Sequence, residues 1–280
     1  MNILVTGANG QLGSELRKNS GDYPDDRFFF TDVAELDITD QQAVNDFFAK
    51  NRIQTVLNCA AYTAVDKAES DEPAATLINA TAVGYLAKAC NAADAKLIHI
   101  STDYVYDGCA CKPYSEDHAT APVSAYGRSK LAGEEAASKS VVIRTSWLYS
   151  SFGNNFVKTM LRLGKERETL NVVFDQVGTP TYAADLARAI MEIAQNDSLQ
   201  TGIFHYSNEG VCSWYDFACE IMQQAGLRCA VRPIETKDYP TPAARPYYSV
   251  LNKARIKAVY GLEISHWKDS LSRCLAEISL

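Results

Sequence analysis

The sequence predicts an α/β fold, a doubly wound parallel sheet with helices on both faces, joined to a smaller and mainly helical lobe. Three observations carry that reading. Short β-branched runs alternate with longer amphipathic segments through the first half of the chain, the pattern of repeated strand–helix–strand units. Strands such as Leu97-Ile98-His99-Ile100 are apolar on consecutive positions, so both faces are expected to be covered, and His99 reads as a core histidine. A glycine-rich turn, Thr6-Gly7-Ala8-Asn9-Gly10-Gln11-Leu12-Gly13, stands where the first strand hands over to the first helix. That position is the one a Rossmann-like sheet reserves for a dinucleotide.

Taken in order, strands are expected at Ile3–Thr6, Arg27–Thr31, Thr55–Asn58, Lys96–Ser101 and Val141–Arg144, with helices near 11–19, 40–51, 73–93 and 124–138. After about Trp147 the spacing becomes irregular. Helical stretches near 154–165, 183–195, 213–225 and 264–278 are separated by loops carrying Pro180, Pro233, Pro240, Pro242 and Pro246. Strands near 170–174 and 202–206 are expected to return to the sheet. Residues 1–145 therefore form a dinucleotide-binding domain with returning segments near 168–210, and 146–280 form mainly a substrate-binding lobe interleaved with it. Neither an internal repeat nor a low-complexity segment is evident.

A chain of 280 residues allows one large or two closely joined domains. With 47% apolar and 22% charged residues and a mean hydropathy of -0.18, it is neither disordered nor collagenous. No apolar run approaches the ~18 residues of a membrane span, and the N-terminus has no basic flank or cleavage site, so a cytoplasmic protein without a membrane partner is expected. A net charge of -7 disfavours nucleic acid and anionic lipid, so any anionic ligand has to be held by local groups. The 8 cysteines lack paired Cys-x-x-Cys spacing, and Cys109 and Cys111 are far in sequence from the 4 histidines. Buried thiols in a reducing compartment fit better than disulfides or structural zinc.

The glycine spacing of the first turn, at Gly7, Gly10 and Gly13, lets backbone approach a pyrophosphate whose charge is held by the N–H groups of a helix N-terminus, with Gln11 and Leu12 opening that helix. Asp32 closes the second strand about 20 residues on and can accept from the adenosine ribose hydroxyls. Asp37 and Ile38 are placed to flank the adenine. The small residues Ala60 and Ala61, with Tyr62 and Thr63, follow the third strand and admit a nucleotide. Tyr126 and Lys130 are four residues apart on a predicted helix and share one face. Alone they read as surface residues; beside a nucleotide turn they form, with Thr102 at the end of the fourth strand, a constellation for proton transfer to a carbonyl oxygen during hydride transfer. Lys130 is expected to supply the cation that favours ionisation of a phenol whose ordinary pKa is near 10.

At these residues the sequence resembles the extended short-chain dehydrogenase/reductase superfamily, and within it the dTDP-4-dehydrorhamnose reductase family. The resemblance runs through Asn58-Cys59-Ala60-Ala61-Tyr62-Thr63-Ala64-Val65-Asp66-Lys67-Ala68-Glu69, Ser101-Thr102-Asp103-Tyr104-Val105-Tyr106, Arg144-Thr145-Ser146-Trp147, Gly153-Asn154-Asn155-Phe156 and Thr241-Pro242-Ala243-Ala244-Arg245-Pro246, nearly the whole chain. It implies reduction of the 4-keto group of a dTDP-4-dehydro-6-deoxy sugar with NADPH or NADH. By the same resemblance Tyr126 is the proton donor, Lys130 holds the cofactor ribose, Thr102, Asp103 and Asn155 contact the sugar, Trp147 packs on the substrate, and Arg245 pairs with its diphosphate. A guanidinium suits that last role in an acidic protein. Some members bind a divalent ion such as Mg2+ at a homodimer interface; Glu15 falls where one ligand would lie, with no other ligand placed and no metal expected from the residues themselves.

Two other readings compete. A sister 4,6-dehydratase or 4-epimerase is the nearer one; the dehydratases carry Thr-Asp-Glu where this chain has Thr102-Asp103-Tyr104, so the acid–base group for elimination is missing. Epimerisation is left open. A non-enzymatic NADP-binding regulatory subunit would keep the fold, but it has no chemical need for Thr102, Tyr126 and Lys130 together.

Overall fold

The computed structural model describes residues 1–196 and 198–278. Five parallel strands, β1 (Asn2–Thr6), β2 (Arg27–Thr31), β3 (Thr55–Asn58), β4 (Lys96–Thr102) and β5 (Val141–Thr145), are joined at one edge by Gly202–His205. From that edge the order is Gly202–His205, β5, β4, β3, β1, β2. The chain leaves β1 for β2 on one side and then crosses to β3 on the other. That reversal opens a crevice at the carboxyl ends of β1 and β3, where doubly wound sheets bind ligands. The register aligns those ends, with Thr6 opposite both Thr31 and Asn58, and Thr102 opposite Thr145.

The interior strand residues Ile3, Leu4, Val5, Val56, Ile98 and Val141 are fully buried because helices cover both faces. One face packs helix α1 (Gln11–Asn19) and the helix Ala183–Ala194 in a cluster containing Leu12, Leu16, Leu186 and Ile190. The opposite face packs α2 (Gln41–Asn51) and Ala82–Ala93 through Val44, Phe48, Val83 and Leu86. Asp40 starts α2 by accepting from the N–H groups of Gln42 and Ala43, and Ser124 caps the helix Ala125–Ala136 by accepting from Gly127 N–H.

Two expectations are corrected. The segment expected as one helix over 73–93 is three pieces: Glu72–Thr76, a π-helical turn Leu77–Thr81, and Ala82–Ala93. Its apolar residues continue without a break, so periodicity carries no sign of the wider turn. The strand expected near 170–174 forms at Thr169–Val173 but does not return to the main sheet; it pairs in parallel with Ala230–Ile234. Arg232 and Pro233 conceal that partner, since a proline reads as a loop rather than as the edge strand it tolerates. The pair sits beside a separate apolar core built on Phe156–Glu166, Trp214–Gln224 and Trp267–Glu277, with Leu161, Phe217 and Leu271 at its centre. Among the described residues no helix is long and apolar enough to cross a membrane.

Candidate active site

The carboxyl ends of β1, β3, β4 and β5 line a cleft of about 820 Å³. Its lining follows the strand order: Asp32, Asp37 and Ile38 after β2 at one end, Gly7, Gly10, Gln11, Leu12 and Gly13 after β1, Ala60, Ala61 and Thr63 after β3, and Thr102, Asp103 and Trp147 after β4 and β5 at the other end, with Tyr126 and Lys130 also in the lining. Gly7 has φ +62, and a Cβ there would lie 2.7 Å from the Ala60 backbone; a Cβ on Gly13 would lie 2.4 Å from the Gly7 carbonyl oxygen. The turn therefore closes only with glycine at both places. Gly10, the N-cap of α1, provides no side chain to cap its first turn, which leaves those N–H groups for an anionic ligand. The Asp32 carboxylate accepts from Asn9 N–H at 3.2 Å and from Val33 N–H at 2.9 Å, which fixes it at the cleft beside the glycine turn. A glycine cradle, a free helix terminus and an acidic residue one strand away fit a dinucleotide.

At the other end, burial dictates the electrostatics. The Lys130 side chain is 2% exposed, donates to the Ile100 carbonyl at 2.6 Å, and is pulled down to about 8 by desolvation, against the opposing pull of Glu134. The Tyr126 phenol is raised well above its ordinary range by burial, then by Asp103 and Tyr104, while its hydrogen bond with Thr102 pulls the other way. The expected depression of Tyr126 by Lys130 is not what this arrangement gives: the ammonium is spent on a carbonyl and the phenol stays protonated. A protonated phenol is the form that gives a proton away. Asp103 is itself pushed up to about 6 by burial, and its Oδ2 has no partner among the described residues.

Several predicted residues take other positions. Asn155 caps the helix Phe156–Glu166 by accepting from Lys158 N–H, and its amide donates to Gln11 Oε1 at 2.9 Å and to the Ser150 carbonyl at 2.8 Å. It ties the loop to the glycine turn and does not line the cleft, which its neighbours Gly153 and Asn154 do. Tyr62 turns from the cleft to pack with Tyr126 on Ala68, Ala75 and Ala125. Its backbone N–H donates to Asn79 Oδ1 at 2.8 Å and its carbonyl accepts from Asn79 Nδ2 at 3.1 Å. Arg245 pairs with Asp66 at 2.7 Å, and its charge opposes the rise that burial imposes on the Tyr104 phenol, whose ring meets Tyr126 edge-on at 5.6 Å. Glu15 is fully buried within the chain and accepts from Ser150 Oγ at 2.6 Å. No cluster of three metal-ligating side chains occurs among the described residues.

Other residues at the cleft were not singled out from sequence. Tyr104 stands at the position where Thr102-Asp103-Tyr104 departs from the dehydratase pattern, a signal that could have drawn attention to it. Leu77 and Ile78 line the cleft because the π-helical turn carries them there, and Asn79 on that turn donates to Ser129 Oγ at 2.9 Å. Trp147 has φ +47 and stacks on Trp214 with ring centroids 3.6 Å apart.

A crystal structure of a dTDP-4-dehydrorhamnose reductase from Clostridium acetobutylicum ATCC 824 is 45% identical and superimposes with a TM-score of 0.96, covering 100% of each chain. A dTDP-4-dehydrorhamnose reductase from Bacillus anthracis, solved in complex with NADP, is 41% identical with a TM-score of 0.94 and 99% of each chain covered. The dTDP-4-dehydrorhamnose reductase of Escherichia coli K12 is 40% identical over 99% of this chain and 98% of its own. Because the model described as the RmlD substrate binding domain also matches residues 1–280, the chain belongs to the dTDP-4-dehydrorhamnose reductase family.

Proposed function

We propose that the protein reduces the 4-keto group of dTDP-4-dehydro-6-deoxy-L-mannose to give dTDP-L-rhamnose, with NADPH or NADH as the reductant. The observation that carries this reading is the single cleft that holds a dinucleotide cradle at one end and Thr102, Tyr126 and Lys130 at the other. A nicotinamide bound in that cleft would supply the hydride for the keto carbon. The chain supplies the rest. Gly7, Gly10, Gln11, Leu12 and Gly13 would hold the pyrophosphate and Asp32 the adenosine ribose, while Lys130, midway along the helix Ala125–Ala136, would hold the second ribose by turning its ammonium from the Ile100 carbonyl. The Tyr126 phenol, kept protonated by burial, gives its proton to the carbonyl oxygen as charge develops there, and the Thr102 hydroxyl donates to the same oxygen. Thr102, Asp103 and Trp147 enclose the sugar. Arg245, already neutralised in part by Asp66, serves the diphosphate only if that ion pair opens.

The test is to offer the purified protein dTDP-4-dehydro-6-deoxy-L-mannose, generated in situ, with each reduced cofactor, and to follow the nicotinamide absorbance. Stoichiometric consumption supports reduction, whereas an epimerase recycles its cofactor and shows none. The Asp32 carboxylate repels a 2′-phosphate, so NADH is expected to serve at least comparably to NADPH. A preference for NADPH above ~100-fold, about 2.7 kcal/mol, would overturn the role given to Asp32.

A further inference from the structure

Trp147 holds a backbone conformation that its own chemistry opposes. Its φ of +47 lies in the left-handed region that bulky residues rarely occupy, and such a residue persists only where its surroundings over-determine it. Those surroundings form one unit. The Trp147 indole lies on the Trp214 indole with centroids 3.6 Å apart and planes within 10°. Phe156 supports Trp214 from a further side at 4.6 Å. A Cβ on Gly178 would come within 2.8 Å of Trp147 Cε2, so the indole is fitted against bare backbone. Gly178 is paired directly with Cys212, two residues before Trp214, and Ser213 fixes the start of that helix in a reciprocal cap with Asp216. The Trp147 carbonyl also accepts from Thr181 N–H at 3.2 Å.

Trp147 lines the cleft and Trp214 does not. One face of the Trp147 indole is thus occupied by Trp214, while the residue follows Thr145, the strand partner of Thr102, by two positions. This sets it near the carbonyl end of the cleft rather than the adenine end. We propose that Trp214 is a positioning residue: by stacking under Trp147 it holds that indole as a flat wall for the C–H face of the substrate's sugar ring. The proposal rests on the reading above that Trp147 faces the sugar nucleotide.

Trp214→Leu in the full chain removes the stack and leaves the cleft lining in place. Its kcat/KM for the sugar nucleotide is expected to fall about 3–10-fold, the size of one aromatic pair, with KM for the nicotinamide cofactor unchanged within about 2-fold. The circular-dichroism couplet of two stacked indoles should vanish in Trp214→Leu and shift in the wild type when dTDP-sugar binds, but not when dTDP alone does. Trp214→Phe, which keeps a ring under Trp147, should recover most of the activity. If the leucine variant does not fold, Trp214→Met carries the same measurement. Unchanged sugar-nucleotide kinetics with the couplet lost, or an equal rise in both KM values, would overturn the positioning role. A wild-type couplet moved by dTDP alone would assign the wall to the base instead and likewise overturn it. Trp147→Phe separates the two readings: if it leaves sugar-nucleotide kinetics untouched, the underlying placement of Trp147 fails first.

Discussion

Tyr126 and Lys130, the proposed proton donor and cofactor lysine, are both governed by burial, but in opposite directions. Tyr126 is raised by desolvation and Lys130 is lowered to about 8. Tyr126→Phe keeps the ring packed on Ala68, Ala75 and Ala125 while deleting the proton, so turnover should fall by ~10²–10⁴ with cofactor affinity retained. Steady-state kinetics and a fluorescence titration with reduced nicotinamide test the two halves. Lys130 is charged below about pH 8 and loses its charge above it, so cofactor affinity should weaken as pH rises through that value. In Lys130→Met that step should disappear, with affinity already lower by about 10–100-fold at pH 7, the value of a hydrogen bond to a charged group. A titration step that survives the substitution would assign it to another group. That Thr102, Tyr126 and Lys130 share one cleft was legible because their spacing is local: four residues on one helix face, and the last residue of a strand. The direction of the Tyr126 shift was not, because it depends on how deeply the fold buries the phenol and on the Asp103 and Tyr104 that it brings beside it.

Elements carry the cleft by devices that sequence patterns report unevenly. The main strands and their helices followed from periodicity, since consecutive apolar residues and 3.6-residue spacing are themselves the physical cause of burial on a sheet. The π-helical turn at Leu77–Thr81 and the Thr169–Val173 pairing with Ala230–Ile234 were not legible, because one leaves the apolar pattern unbroken and the other depends on a partner more than fifty residues away. Asn155 shows the same limit at a functional loop: a motif places it near the substrate, but only coordinates show its amide shared between a helix cap and Gln11. Asn155→Ala should therefore cost about 1–2 kcal/mol in urea unfolding, a cap's worth. It should weaken cofactor binding through Gln11 more than sugar-nucleotide binding. The reverse order, with stability unchanged, would return Asn155 to the substrate.

Across the whole molecule, a buried chain of polar groups crosses the sheet behind the cleft. Ser101 Oγ donates to Glu134 at 2.5 Å, Arg144 pairs with both Glu134 oxygens, the Arg144 guanidinium donates to Tyr106 Oη, and Tyr106 Oη bonds His205 Nε2 at 2.8 Å. The other ring nitrogen of His205 lies 3.1 Å from the Asn252 carbonyl. Burial, reinforced by the Arg144 charge, pulls His205 down to about 3, so the folded protein cannot protonate it where the unfolded chain does. The unfolded state therefore binds the extra proton below pH ~6.5, and the stability His205 contributes is whole above that value and lost as pH falls toward about 3. At 1.36 kcal/mol per pH unit the full span is on the order of 5 kcal/mol, comparable to the net stability of many domains. Asp103 works against it: raised to about 6, it favours the folded state as pH drops from about 6 to its ordinary value near 4, over a shorter span. Urea unfolding from pH 7 to pH 4 should show stability falling with acid in the wild type. His205→Gln lowers stability at pH 7 by removing part of the chain, yet its slope over the same range should be flatter. An equal slope in the two proteins would move the acid sensitivity to another buried group, with His99, also pulled far down by burial, the next to substitute.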